Sequence, residues 1–175
     1  MEEMALSIDQ INTMDDDTAH FEFTRCCGSS SWVSRMIQRR PFSNSESMFT
    51  AADEVWRGLS SADWKEAFSH HPRIGDIKAF REKLAATWAW ADGEQAGTRS
   101  GSEQTLEALA VGNAEYEKKF GYIFIVCATG KNADEILSLL ILRSNNEPAV
   151  EIHVAAEEQR KITQLRLQKL LDLSA

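Results

Sequence analysis

Apolar residues recur every three or four positions along most of this chain. The polar residues between them fall where helices start and stop. Ser29, Ser30 and Ser31 offer caps for a helix carrying Trp32, Val33 and Met36, which must stop at Pro41. Ser43 or Ser45 starts the next, with Met48, Ala51, Ala52, Val55 and Trp56 at helical spacing. Ser61 opens a third, with Trp64, Ala67 and Phe68, halted by Pro72. A fourth is predicted over Ile77 to Trp90, and the polar, glycine-bearing run from Asp92 to Gly101 reads as a loop. A long helix follows from about Ser102 to Lys119, with Leu106, Leu109, Ala110, Asn113 and Tyr116 on one stripe and Gly121 as its C-cap. Asn132 with Glu135 caps a helix holding Ile136, Leu137, Leu139 and Leu140. The last helix runs roughly from Pro148 to Leu171.

Two segments break the helical pattern. Tyr122 to Cys127 is aromatic and β-branched and taken alone reads as a strand, but no second strong strand is present to pair with it. It is expected to be a buried extended segment or a short helix. Residues 1 to about 24 show little fixed period and cluster Asp15, Asp16 and Asp17, which predicts a poorly ordered leader ahead of a domain over residues 25–175. The fold class expected is all-α: a single-domain multi-helix bundle with one short extended segment.

Composition narrows the class of partner. The formal net charge of −8 gives no basic face for nucleic acid, and 43% hydrophobic residues suffice for a packed core. No apolar run reaches the roughly 20 residues needed to cross a bilayer. Cys26, Cys27 and Cys127 are odd in number and two are neighbours, which suits a reducing intracellular compartment better than a disulfide framework. No signal-peptide core opens the chain, and Asp172-Leu173-Ser174-Ala175 is no recognisable address.

Three places could carry chemistry. Proline holds the residue before it out of the α region, so His71 in His70-His71-Pro72-Arg73-Ile74-Gly75 presents an imidazole from a fixed backbone at a helix end. That suits a neutral-pH acid–base, although the local sequence alone favours a helix-terminal or plain surface histidine. Ser100 and Glu103 have capping-box spacing, yet the same helix start offers free N–H groups to a carbonyl or carboxylate ligand, with Glu103 and Gln104 at its mouth. On the last helix, Ile152, Ala155, Ile162 and Leu170 form the expected inward stripe, opposite Glu157, Lys161, Gln164 and Gln168. Gln159, Thr163 and Arg166 fall inside that apolar stripe, so Arg166 needs a salt-bridge partner, a path to solvent or an anionic or carbonyl-rich ligand. Phosphate-binding glycine loops, zinc spacings and nucleophile elbows are absent, and Trp88 and Trp90 read as core.

Taken in order, His71-Pro72-Arg73-Ile74-Gly75, Ser100-x-x-Glu103-Gln104, Asn113-x-x-Tyr116-x-x-Lys119-Phe120-Gly121-Tyr122-x-Phe124 and Lys161-Ile162-x-x-x-Arg166-Leu167 resemble the 2-oxo-4-hydroxy-4-carboxy-5-ureidoimidazoline (OHCU) decarboxylases over about residues 25 to 172. Each motif is short, and their specificity lies in the shared order and spacing. The resemblance implies an all-α homodimer that forms (S)-allantoin in urate breakdown without a cofactor or metal. It implies catalytic roles for His71 and Glu103. It also implies a substrate site formed by Pro72, Ser100, Gly101, Ser102, Gln104, Phe124, Ile125, Val126, Cys127, Ala128 and Arg166. The long stretch from Gly75 to Ser100 and the start Cys26-Cys27-Gly28-Ser29 are most similar to the decarboxylase half of plant bifunctional allantoin synthases, whose second part is a 5-hydroxyisourate hydrolase domain. That second activity is expected to be missing here, and residence in the peroxisome or cytoplasm is implied by the pathway alone. The rival expectations are a non-enzymatic helical interaction module and a metal hydrolase using His71, Glu103 and His153.

Overall fold

The structure is a computed structural model that describes residues 4–71 and 103–172. Among these residues there are eight helices and no strand: α1 (Ile8–Thr13), α2 (Asp16–Cys26), α3 (Ser30–Gln38), α4 (Ser45–Arg57), α5 (Ser61–Ser69), α6 (Glu103–Phe120), α7 (Ala133–Ser144) and α8 (Pro148–Leu170). The all-α class is as expected. The helix and loop expected over residues 77–101 lie outside the described residues.

Contacts group the chain into two compact units, Met1–His70 with Ala156–Ala175, and His71–Ala155. In the first, α3 packs against α2, α4 and α5. Trp32 and Met36 of α3 are fully buried, each contributing about 1.5–3 kcal/mol of apolar burial. The Trp32 indole stands edge-on to Phe23 at 5.9 Å and its N–H donates to the Ala52 carbonyl at 3.2 Å. The C-terminal half of α8 joins α4 through three polar ties. Trp56 Nε1 donates to Ala156 O at 2.9 Å, Gln164 Nε2 donates to Phe49 O at 2.9 Å, and Arg160 pairs with Asp53 at 3.2 Å.

The N-terminal residues correct the sequence reading. In place of a disordered leader, the structure has α1 and α2, burying Ile11, Ala19 and Phe23. The aspartates that suggested disorder are helix-start chemistry. Asp15 is the N-cap of α2, accepting the Thr18 N–H at 2.8 Å, and Asp16 and Asp17 fill the first turn, where a helix dipole favours negative charge. Arg40 then ties α1 down, donating to the carbonyls of Ile11 and Met14, both at 2.8 Å. Asn12 and Phe42 exchange two hydrogen bonds, and the Leu6 N–H reaches Leu170 O at 2.9 Å.

In the second unit α6 packs on α7, with Leu106, Leu109, Asn113, Tyr116 and Phe120 buried along α6. Gly121 ends α6 at φ +82°, a left-handed conformation that glycine adopts without cost. Asn132 and Glu135 form the expected capping box on α7. Residues 123–128 are neither helix nor strand.

Candidate active site

His71 is the residue after the C-cap of α5. His70 closes that helix with its N–H on Ala67 O at 3.2 Å, and His71 is half-buried just beyond it. Glu103 is the first residue of α6, and both Glu103 and Gln104 are exposed there. Pro72, Ser100, Gly101 and Ser102 lie outside the described residues, and with them the expected Ser100–Glu103 cap.

Arg166 does not take the buried place its position implied. It is exposed, and Nη1 reaches the Cys26 carbonyl at 3.5 Å. The buried stripe of α8 runs Glu151, Ala155, Gln159, Thr163 and Leu167, an i+4 row, with Ala156 beside it, while Ile152 and Ile162 are only half-buried. An i+4 row advances 40° per step, so it drifts around a straight helix. The inward face therefore turns gradually along 23 residues and leaves Arg166 at its edge.

Phe124, Ile125 and Cys127 are buried, Val126 and Ala128 half-buried, and a network the sequence reading missed holds them. Arg143 is 5% exposed and Glu151 fully buried. The Arg143 guanidinium donates to Glu151 Oε1 through Nε at 2.8 Å and Nη2 at 2.6 Å, and through Nη1 to the Ile125 carbonyl at 2.7 Å. It also lies 4.4 Å over the Phe124 ring. The Tyr116 hydroxyl donates to the same Glu151 oxygen, and Asn146 Nδ2 donates to the other at 2.9 Å. Burial and the Glu151 hydrogen bond both hold the Tyr116 phenol far above its usual range, so it stays a donor. Lys131 Nζ takes the Cys127 carbonyl at 2.9 Å. Two cations thus hold carbonyls two residues apart, the period of an extended backbone. The signal for Arg143 was present: Ala133, Ile136, Leu140 and Arg143 make one three-four-three stripe on α7, and only its last member is charged.

Among the described residues no group of three or more histidines, cysteines or acidic residues could hold a metal ion, so His71, Glu103 and exposed His153 do not form the ligand set of the rival reading. No helix among them is long and apolar enough to cross a membrane.

Among the described residues this is an all-α protein whose irregular 123–128 segment is held by the buried Arg143 and the half-buried Lys131. The family is given by comparison: the OHCU decarboxylase family profile matches residues 12–168, and the chain belongs to that family. The chain is 39% identical over 151 residues to the uric acid degradation bifunctional protein TTL of Arabidopsis thaliana, covering 85% of this chain and 46% of that relative. It therefore spans less than half the length of that protein. It is 36% identical over 141 residues to the 2-oxo-4-hydroxy-4-carboxy-5-ureidoimidazoline decarboxylase of Amia calva, covering 78% of this chain and 77% of the other. The crystal structure of an OHCU decarboxylase in the presence of (S)-allantoin superimposes with a TM-score of 0.71 at 36% identity, covering 91% of this chain and 99% of that one.

Proposed function

We propose that this chain decarboxylates 2-oxo-4-hydroxy-4-carboxy-5-ureidoimidazoline to (S)-allantoin. The observation that carries the reading is the family match across residues 12–168, which spans His71, Glu103, the Phe124–Ala128 segment and Arg166. The substrate supplies its own electron sink. Its carboxylate sits on the hydroxyl-bearing carbon, next to a ring C=N bond. The C–C bond to the carboxylate breaks, the electron pair passes to that C=N, whose nitrogen takes up a proton, and neutral CO2 leaves. One proton then adds to the ureido-bearing carbon on a single face, and the enol hydroxyl gives up its proton to become the ring carbonyl. No cofactor is needed for this electron flow.

His71 carries the proton, and Glu103 orients the substrate hydroxyl and His71. Arg166, Gln104 and the backbone of Phe124 to Ala128 hold the ureido and ring carbonyls, with Pro72 and Ser100 to Ser102 completing the contacts. The Arg143–Glu151 network supports this assignment, because it fixes the backbone that receives the ureide. A homodimer and residence in the peroxisome belong to the same reading. So does a neighbouring 5-hydroxyisourate hydrolase domain in a longer protein; light scattering and imaging of a tagged chain test the first two.

The experiment generates the unstable substrate from urate in situ and follows its decay with and without the protein. His71→Ala is expected to fold normally and to lose about 10²–10⁴-fold in turnover, the usual worth of a positioned acid–base. Wild-type turnover in that variant removes His71 from the mechanism.

A further inference from the structure

The turn between α2 and α3 touches two elements that carry proposed site residues. A Cβ built on Gly28 would lie 2.4 Å from Cγ, 2.6 Å from Cβ and 2.8 Å from Cδ2 of His70. Contacts under 3.0 Å are essentially never seen for a real Cβ. One of the colliding atoms is the Cβ of His70 itself, so rotating the imidazole cannot relieve the overlap. Gly28 is not at positive φ, so space and not backbone conformation demands glycine here.

The surrounding turn is clamped. Ser30 donates through its N–H to Glu66 Oε1 at 2.7 Å, and its hydroxyl donates to the same oxygen. Ser31 Oγ donates to Asp63 Oδ1 at 2.8 Å. Both acceptors are on α5, the helix that His70 closes. The turn also meets α8: the Cys26 carbonyl accepts from Arg166 Nη1 at 3.5 Å, and Cys27 beside it is fully buried.

We propose that this turn positions the acid–base histidine: Gly28, having no side chain, seats the ring of His70, and His70 fixes the backbone from which His71 extends. The inference rests on the decarboxylase reading above. His70 is then a positioning residue and His71 the proton carrier, which gives the adjacent histidines separate tasks.

The test compares wild type, His71→Ala, Gly28→Ala, His70→Gly and the double variant Gly28→Ala/His70→Gly, since only glycine at 70 removes the colliding Cβ. The same urate-coupled assay is run at a temperature where circular dichroism shows each variant folded. Gly28→Ala is expected to lower kcat by about 10²-fold with little change in KM, the scale of a misplacement of about 1 Å at the reacting group. The double variant is expected to match His70→Gly within about threefold, because both the ring and the Cβ that collide are gone and the two changes cannot add. A Gly28→Ala variant within about threefold of wild-type kcat overturns the proposal, as does a double variant whose loss is the product of the two single losses. Should Gly28→Ala fail to fold, the double variant decides alone: it folds and turns over like His70→Gly, or the proposal fails. A wild-type chain that does not speed the reaction, or a His71→Ala variant as fast as wild type, withdraws the decarboxylase reading and this inference together. Normal kcat in Gly28→Ala beside an inactive His71→Ala withdraws only the inference.

Discussion

Arg143 and Glu151 tolerate burial because each answers the other and their remaining atoms are taken up by Tyr116, Asn146 and the Ile125 carbonyl. Such a pair is costly to break from one side. Glu151→Ala leaves a buried guanidinium and a buried phenol without their acceptor, and a loss of about 3–5 kcal/mol in urea unfolding is expected. Replacing both partners, as Arg143→Met/Glu151→Leu, is expected to cost less than Glu151→Ala alone, since an apolar pair strands no charge. A double variant less stable than the single one contradicts this account of the pair. Sequence reading placed Arg166 in the buried stripe and passed over Arg143, the arginine that is buried. Arg166 was marked by a helical projection that assumed one fixed inward face, whereas Arg143 sat in plain view on the α7 stripe. What concealed it was its acceptor, since Glu151 belongs to another helix and its burial depends on tertiary contact.

The helices were largely legible because their caps are chemically explicit. Ser29, Asn132 with Glu135, and Gly121 do what their residue types prescribe. Two starts slipped by a residue where several capping types stand together: Asn44, and not Ser43 or Ser45, caps α4, and Ser60, ahead of Ser61, caps α5. Composition alone does not separate a capped short helix from a solvated tail at Asp15–Asp17; Arg40 and Asn12 decide it from a distance. A pH prediction belongs at this scale. Asp63, in the first turn of α5, accepts from the Ser60 and Ser31 hydroxyls and from the Ser60 N–H, which hold its carboxyl below the ordinary 3.8. A depressed folded-state value means the stabilisation is present above that ordinary value and is lost as pH falls through the folded one. Asp63→Asn is therefore expected to flatten the fall of stability below about pH 4 in acid titrations followed by circular dichroism. An unchanged acid limb contradicts the cap.

At the scale of the whole molecule, the thiols report on integrity. Burial pushes Cys26 up to about 12 and Cys27 up to about 11, from an ordinary 9.0. Raised values mean their share of stability is present below pH 9.0 and is lost as pH climbs toward about 11 to 12. Both are expected to react slowly with Ellman's reagent in the native protein at neutral pH and promptly after unfolding; prompt reaction in the native state contradicts their burial. The all-α class and the family were legible because motif order survives where single motifs say little. No local rule in the sequence ties the imidazole of His71 to the carboxylate of Glu103 and the guanidinium of Arg166 across such separations.

The central claim is that one face of a planar intermediate receives the proton. Its most direct measurement is circular dichroism of the allantoin formed when urate is oxidised in situ in the presence of this chain. The account predicts an excess of the S enantiomer, appearing faster than uncatalysed decay and abolished in His71→Ala. A racemic product formed at the uncatalysed rate contradicts it.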